Sequence, residues 1–307
     1  MALKNPMRRL SPAALALLTA CAAAAPAPAP ARNAEAEVAA AEHAFAQAAA
    51  RDGIRDAFLA FADDSALAFR PEPGSAKELW RARPRTSARL TWYPAYARAA
   101  RGGDLGFTTG PYISADSAGT VQGHGQYVTV WRKTPQGWRF VIDLGTTNPP
   151  PAEPVPAWRP PARATVSPTR GGATRDAASV DAAPSLLAAD QAFASQAASG
   201  GFAAALRAHG DAEMRLLRPR AAPRAGLAAA LAAATVDSIR RYTARPVRAT
   251  ASAAGDLGWT WGEYQYLNAG AGRRETGHYL RIWTRAEGAP WRLLLDIVAP
   301  RPSERDE

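Results

Sequence analysis

Two stretches of this chain repeat nearly the same letters, and this repetition constrains the fold more than any other feature of the sequence. Residues 104–112 read DLGFTTGPY, and residues 256–264 read DLGWTWGEY. The match continues upstream, where EHAFAQAAARDGIRDAFLAFAD from Glu42 aligns with DQAFASQAASGGFAAALRAHGD from Asp190. Because order and spacing persist over most of both segments, we infer a tandem duplication, and one structural unit is expected twice.

Each copy begins with helices and ends with strands. An Ala-rich amphipathic stretch over residues 34–50 breaks at Gly53, or at Gly201 in the second copy, and a second short helix follows. The segments GQYVTVWRKT and WRFVIDLG are rich in aromatic and β-branched residues, with turns over residues 116–119 and 135–137. Helices followed by antiparallel strands predict an α+β fold. We expect Asp104 and Asp256 to cap their own turns.

The motifs LTWYPAYARAARGGDLGFTTGPY and GQYVTVWRKTPQGWRFVIDLG, after a helical hairpin and an Arg-Pro pair, resemble the NTF2-like superfamily. More narrowly, they are similar to its DUF4440 and SnoaL-like members. The resemblance implies two tandem cone domains, each a helical hairpin packed on a curved, mostly antiparallel sheet with a pocket at its open end. Related domains pair through the outer face of the sheet, so the two domains are expected to pair within the chain.

Composition divides the chain into five parts. We expect a signal peptide over residues 1–20, an Ala/Pro tether over residues 21–33 and a first domain over residues 34–147. A Pro-rich stretch over residues 148–184 reads as a linker, and the second domain is expected over residues 185–300. Alternating Ala and Pro favours an extended polyproline spacer, which suits a tether.

The first residues of the chain predict its cellular location. Lys4, Arg8 and Arg9 precede a short apolar run that ends in the letters LTAC at Cys21. This pattern resembles the lipobox of bacterial lipoproteins, which implies lipidation of Cys21; an ordinary signal peptide cut nearby is the alternative. Because Ala22, not Asp, follows, the resemblance implies the periplasmic face of the outer membrane in a bacterial envelope, with membrane contact through the lipid alone.

Charge and motifs exclude several classes of protein. The formal net charge is +10, but the basic residues are scattered singly or in pairs, which favours a solvated surface and no nucleic-acid partner. The single cysteine allows neither an internal disulfide nor a Cys-based zinc site. The four histidines do not converge and are expected to face solvent. No metal or cofactor motif is present, so no metal and no cofactor is expected.

Candidate site residues come from the predicted strands. The superfamily includes isomerases and dehydratases with an acid or base in the pocket, and Asp143 with Tyr127 is the candidate pair here. Strand alternation would place Arg139, Val141 and Asp143 on one face, where Asp143 could instead pair with an Arg. The predicted pocket set comprises Thr109, Tyr127, Trp131, Asp143, Tyr279, Arg281, Trp283 and Asp296. The aromatic members could equally fill core.

The two pockets are expected to differ. Thr109 and Thr129 in the first copy correspond to Trp261 and Arg281 in the second, so the first pocket should be the more open and neutral one. A buried Arg281 needs Glu263, Asp296 or an anionic ligand as a partner.

Three functions remain open from sequence. The first is a lipid-anchored module that binds a small molecule or serves an accessory role. The second is an isomerase, dehydratase or hydrolase acting on a small apolar substrate, although no convincing catalytic constellation is evident. The third is a structural module that binds a protein. A closed, Trp-filled cone would favour the third, and an open cone with an ionisable wall would favour the other two.

Overall fold

The computed structural model describes residues 33–69, 72–160, 182–236, 240–268 and 273–302. The signal peptide, Cys21 and nearly all of the tether therefore lie outside the described residues. The first repeat contains helices α1 (Ala34–Asp52), α2 (Ile54–Phe61) and α3 (Ala76–Ala82) with strands β1 (Ala62–Phe69), β2 (Pro73–Ser75), β3 (Arg89–Trp92), β4 (Tyr96–Ala99), β5 (Leu105–Ala115), β6 (Val121–Thr134) and β7 (Gly137–Asn148).

The second repeat follows the same order. It contains α4 (Ala182–Gly200), α5 (Phe202–His209) and α6 (Leu227–Val236) with strands β8 (Gly210–Leu217), β9 (Arg224–Ala225), β10 (Arg240–Ala251), β11 (Leu257–Asn268), β12 (Arg273–Thr284) and β13 (Arg292–Pro300). Residues 149–160 contain no helix or strand, although Trp158 donates its backbone N–H to the Pro94 carbonyl at 2.7 Å.

The predicted break between the first two helices is confirmed in both repeats. Gly53 has φ 89° and Gly201 has φ 90°, a region that side chains with a Cβ rarely adopt. The chain therefore turns there without strain, and α2 and α5 fold back on the longer helices. Asn33 starts α1 by accepting the Ala36 N–H through its side chain at 3.2 Å.

Each repeat has its own sheet. The strand order is β2-β1-β7-β6-β5-β3 in the first sheet, with β4 also paired to β5, and β10-β11-β12-β13-β8-β9 in the second. The β1–β7 and β8–β13 pairs are parallel, and the other described pairs are antiparallel. Helices followed by these mostly antiparallel sheets confirm the α+β class.

A β-bulge changes the predicted face of the last strand. Phe140 lies opposite Trp131 and Ile142 lies opposite Val130, so Val141 is an extra residue in β7. Phe140 and Asp143 therefore both face the helices, whereas Val141 packs on the other side of the sheet. The expectation that Val141 and Asp143 share a face was wrong, because one inserted residue reverses the alternation beyond it.

Within the part of the chain that the structure describes, three hydrophobic clusters form the core. One lies between helices and sheet in the first repeat and one in the second. The third, which we call the shared cluster, takes residues from both sheets at matching positions. Its first-repeat members include Phe69, Leu105, Phe107, Val128, Val130 and Ile142, and its second-repeat members include Leu217, Leu257, Trp259, Leu280, Ile282 and Leu295.

The repeated Asp-Leu-Gly stretch joins the two repeats. The carboxylate of Asp104 accepts the backbone N–H of Ala253 at 2.8 Å, and that of Asp256 accepts the N–H of Arg101 at 3.0 Å. Arg101 and Ala253 occupy equivalent positions, so the two contacts mirror each other. Asp256 also accepts the Ser252 hydroxyl in its own turn at 2.9 Å. The expectation for Asp104 was wrong, because the nearest well-aligned donor comes from the other repeat.

We expect D104A and D256A each to lower the free energy of unfolding by about 1–2 kcal/mol, because each removes a hydrogen bond to a carboxylate. Urea denaturation measures the loss, and D64A, at an exposed carboxylate, is the control and should change it little. Equal effects of all three variants would contradict this prediction.

The pairing of the two repeats also predicts the shape of the protein in solution. Small-angle scattering of the soluble wild type should show one compact particle, and two separated beads would contradict the pairing.

Candidate functional site

A buried carboxyl group lies inside the first repeat. Glu42 on α1 is fully buried. It accepts hydrogen bonds from the indole Nε1 of Trp92 at 2.5 Å, from the indole Nε1 of Trp131 at 3.1 Å and from the Thr108 hydroxyl. These donors come from strands β3, β6 and β5, so the carboxyl group ties the helix to three strands of the sheet.

Burial raises the pKa of Glu42 to about 7. The hydrogen bonds from Thr108, Trp92 and Trp131 stabilise the carboxylate and oppose this increase, whereas the negative charge of Asp143 adds to it. No described basic side chain contributes to this balance. Glu42 is thus a carboxyl group that can gain or lose a proton near neutral pH.

Aromatic rings fill most of the space around Glu42. The ring of Phe45 contacts Phe58 at 4.8 Å and Trp92 at 4.9 Å, and Phe58 stacks on Trp80 at 4.2 Å between ring centres. A cavity of about 10 Å³ remains, which is room for about one water molecule. Its walls are Phe58, Leu67, Ala68, Ala76, Leu79, Trp80, Phe140 and Asp143. The first repeat thus keeps a small cavity, but its interior is nearly closed and carries two carboxyl groups, so the expectation that it is neutral is not met.

The proposed catalytic pair lies in this interior. Tyr127 is buried, and burial raises the pKa of its hydroxyl well above the ordinary value, with the Glu42 charge as a second cause. The hydroxyl lies near Thr108 but makes no well-aligned hydrogen bond. Asp143 accepts the Thr129 hydroxyl at 3.0 Å and borders the cavity. Trp131 also faces the helices, as expected.

Thr109 does not line the interior. Thr108 reaches Glu42, so the next residue of the strand faces the opposite side, and the Thr109 hydroxyl donates to the Tyr127 carbonyl at 2.5 Å. Its counterpart Trp261 packs on the shared cluster and contacts Phe69. The structure therefore places Thr108, and not the predicted Thr109, on the interior side of this strand.

The interior of the second repeat is an ion-pair network. Arg281 is fully buried, bonds to the Asp190 carboxylate through Nη1 and donates to Asp296 from Nε at 2.7 Å. Tyr279 donates its hydroxyl to Asp190 at 2.9 Å, and Arg218 pairs with Asp296 at 2.6 Å. The expected pairing of Arg281 with Asp296 is confirmed, whereas Glu263 pairs with Arg245 instead.

Rings and charges around Arg281 hold it in the charged form. Its guanidinium carbon lies 4.3 Å from the ring centre of Phe193 and 4.0 Å from that of Tyr279. Burial acts to lower the pKa of Arg281, but the nearby oxygens of Tyr242, Asp190 and Asp296 outweigh it and raise the pKa well above its ordinary value. Trp283 lies in the same interior and donates to Thr260 at 2.9 Å.

Sequence reasoning missed Glu42 and Asp190. Both lie inside the first helix of their repeat, at the first position of the aligned segments EHAF and DQAF, on the face that packs on the sheet. A carboxyl group at the same position of an apolar helix face in both copies was the signal that could have identified them.

The structure places one of the histidines differently from the prediction. His278 is buried, not solvent-facing, and its Nε2 lies 3.5 Å from the Glu72 carboxylate. Within the described ranges, no group of three or more His, Cys, Asp or Glu side chains is arranged to hold a metal. None of the described helices is both long enough and apolar enough to cross a membrane.

Element order and strand order define each repeat as an α+β fold in which helices pack on a mostly antiparallel sheet. Among solved structures, the chain is similar to an NTF2-like superfamily protein from Salmonella enterica serovar Typhimurium, at 10% identity over 41% of this chain and 94% of that chain, with a TM-score of 0.35. It is also similar to an NTF-2-like protein from Shewanella oneidensis, at 12% identity over 38% of this chain and 96% of that chain, with a TM-score of 0.32.

A ketosteroid isomerase-like protein from Erwinia carotovora atroseptica is similar at 19% identity over 38% of this chain and 96% of that chain, with a TM-score of 0.31. At these identities the similarities concern the fold alone. No protein-family model and no curated protein matches the chain.

Proposed function

We propose that this protein is a small-molecule-binding module, and that its binding interior belongs to the first repeat. The observation that carries the proposal is the difference between the two interiors. Asp190 in the second repeat is neutralised by Arg281, whereas no cation among the described residues neutralises Glu42, which accepts hydrogen bonds from neutral donors. A buried carboxyl group without a cation is costly to keep, and a ligand that uses it would offset this cost.

The cavity beside Asp143 marks where a ligand would enter. Its outer wall is α3, from which Leu79 and Trp80 project onto it. Residues 83–88 follow this helix without regular structure and are exposed. Movement of α3 with the Trp80 ring would enlarge the cavity without disturbing the sheet. The interior of the second repeat is filled by Arg281 and its partners, which supports a structural role for that half.

A retained or added ligand tests the proposal. Native mass spectrometry of the protein purified from its envelope and a thermal-shift screen should each reveal at least one small molecule. L79W fills the cavity wall and should weaken binding at least about tenfold, since an added indole overfills a space this small. L231W changes a leucine on α6, the corresponding helix of the second repeat, and should bind as the wild type does. No ligand at all, or equal loss in both variants, would overturn the proposal.

An enzyme is the second candidate. A carboxyl group with a pKa of about 7 is suited to exchange a proton with a bound molecule at neutral pH. We expect E42Q to abolish turnover of a retained ligand, and mass spectrometry of the ligand after incubation measures turnover. If the wild type returns the ligand unchanged, this candidate fails.

We also propose that Cys21 carries a lipid that holds the protein to the bacterial envelope, on the periplasmic face of the outer membrane. The support is the charged and apolar pattern before Cys21 and the Ala/Pro stretch after it. We expect C21S to move the protein from the membrane fraction to the soluble fraction, and globomycin to accumulate unprocessed precursor. Cys21 is the single cysteine of the chain, and a C21S protein that still pellets with membranes after a salt wash would contradict the anchor.

A further inference from the structure

We infer that the first repeat binds a small organic cation, an ammonium or amidinium group on a flat apolar body, at the position that the Arg281 guanidinium occupies in the second repeat. The inference rests on the proposed function and specifies its ligand class. In the second repeat, the Arg281 side chain itself fills the position that the cation would take in the first repeat.

Strand register makes the two positions equivalent. In the second repeat Arg281 lies opposite Thr260 on β11 and Asp296 on β13. In the first repeat Thr129 lies opposite Thr108 on β5 and Asp143 on β7. The same place in the sheet therefore holds a long cation in one repeat and a short hydroxyl in the other.

Most of the groups that hold the guanidinium are retained in the first repeat, although Tyr242, whose hydroxyl accepts from Arg281, corresponds to Leu90 there. Asp190, Phe193 and Tyr279 contact Arg281. Their counterparts in the aligned sequence are Glu42, Phe45 and Tyr127, which lie together in the first interior. One carboxyl group and two aromatic rings are the elements from which proteins build cages for ammonium groups.

Trp92 occupies part of this place in the free protein. Its indole donates to Glu42, where the second repeat has the much smaller Ala244 on the unbroken strand β10. A cation would replace this neutral donor by a charged one, and a hydrogen-bonded ion pair with the carboxylate is stronger than a hydrogen bond from a neutral indole. Trp92 is the last residue of β3, so its ring can turn outward with little change in the sheet.

The charge of the interior selects the ligand. Glu42 and Asp143 interact electrostatically, and both are acidic. An anionic ligand would be repelled. A neutral ligand of the same shape would give the Glu42 carboxylate a hydrogen bond no stronger than the one it already accepts from the Trp92 indole. Discrimination by charge is therefore expected to exceed discrimination by shape.

Calorimetry on the wild type with matched probes tests the inference. The cationic probes are benzamidine and benzylammonium, the neutral probes are benzamide and benzyl alcohol, and the anionic probe is benzoate. The cations should bind at least about tenfold more tightly than the neutral probes, and benzoate should not bind. E42Q should remove this preference. T129R supplies the guanidinium from within and should abolish cation binding, whereas V121R adds the same charge at an exposed site on β6 and should not.

The outcomes separate the two claims. If neutral probes bind as tightly as the cations and binding is lost in L79W, the cation inference is wrong and the binding function stands. If no probe and no retained ligand binds, the proposed function fails. If T129R does not fold, E42Q decides: an unchanged preference for cations in that variant overturns the inference.

Discussion

Replacing Arg281 with methionine is expected to lower the free energy of unfolding by about 3–5 kcal/mol, because the change leaves Asp190 buried without its cation. Methionine keeps much of the side-chain volume, so the loss reports charge more than packing. Urea denaturation followed by tryptophan fluorescence measures it.

A double variant separates the charge effect from packing. In D190N/R281M the unpaired carboxylate is also removed, and Asp296 keeps Arg218 as a partner at 2.6 Å. At least half of the lost stability should return. If R281M costs less than about 1 kcal/mol, or if D190N adds to the loss, the ion pair does not hold this interior together.

The stability of the first repeat is expected to fall as pH rises from about 4.5 to about 7. The pKa of Glu42 is raised from its ordinary value to about 7 by burial. In that window the folded chain keeps a proton that the unfolded chain has released, so increasing pH favours unfolding. The effect amounts to about 3 kcal/mol and is complete above the folded pKa.

Comparison with E42Q isolates this contribution. The amide cannot ionise, so the free energy of unfolding of E42Q minus that of the wild type should rise by about 3 kcal/mol between about pH 4.5 and about pH 8. Urea denaturation at several pH values measures this difference, with E78Q on the exposed face of α3 as the matched control. A difference that does not change with pH would show that Glu42 is ionised throughout.

Local sequence determined much of the fold. The duplication, the helix break at Gly53 and Gly201, and the aromatic strands with their turns follow from short-range rules, because backbone conformation and side-chain period are local properties. The α+β class follows from their order. The sequence also required an anionic partner for a buried Arg281.

Only the tertiary structure decided the details on which function depends. The bulge at Val141 turned Asp143 toward the helices, and the alternation around Thr108 excluded Thr109, because register is set by pairing with neighbouring strands. Asp104 found its donor in the other repeat because folding brought Ala253 closest. Whether a cone is open or filled depends on how rings from distant segments pack together, which no local pattern encodes. The charge of the first interior likewise emerged only when α1 carried Glu42 onto the sheet.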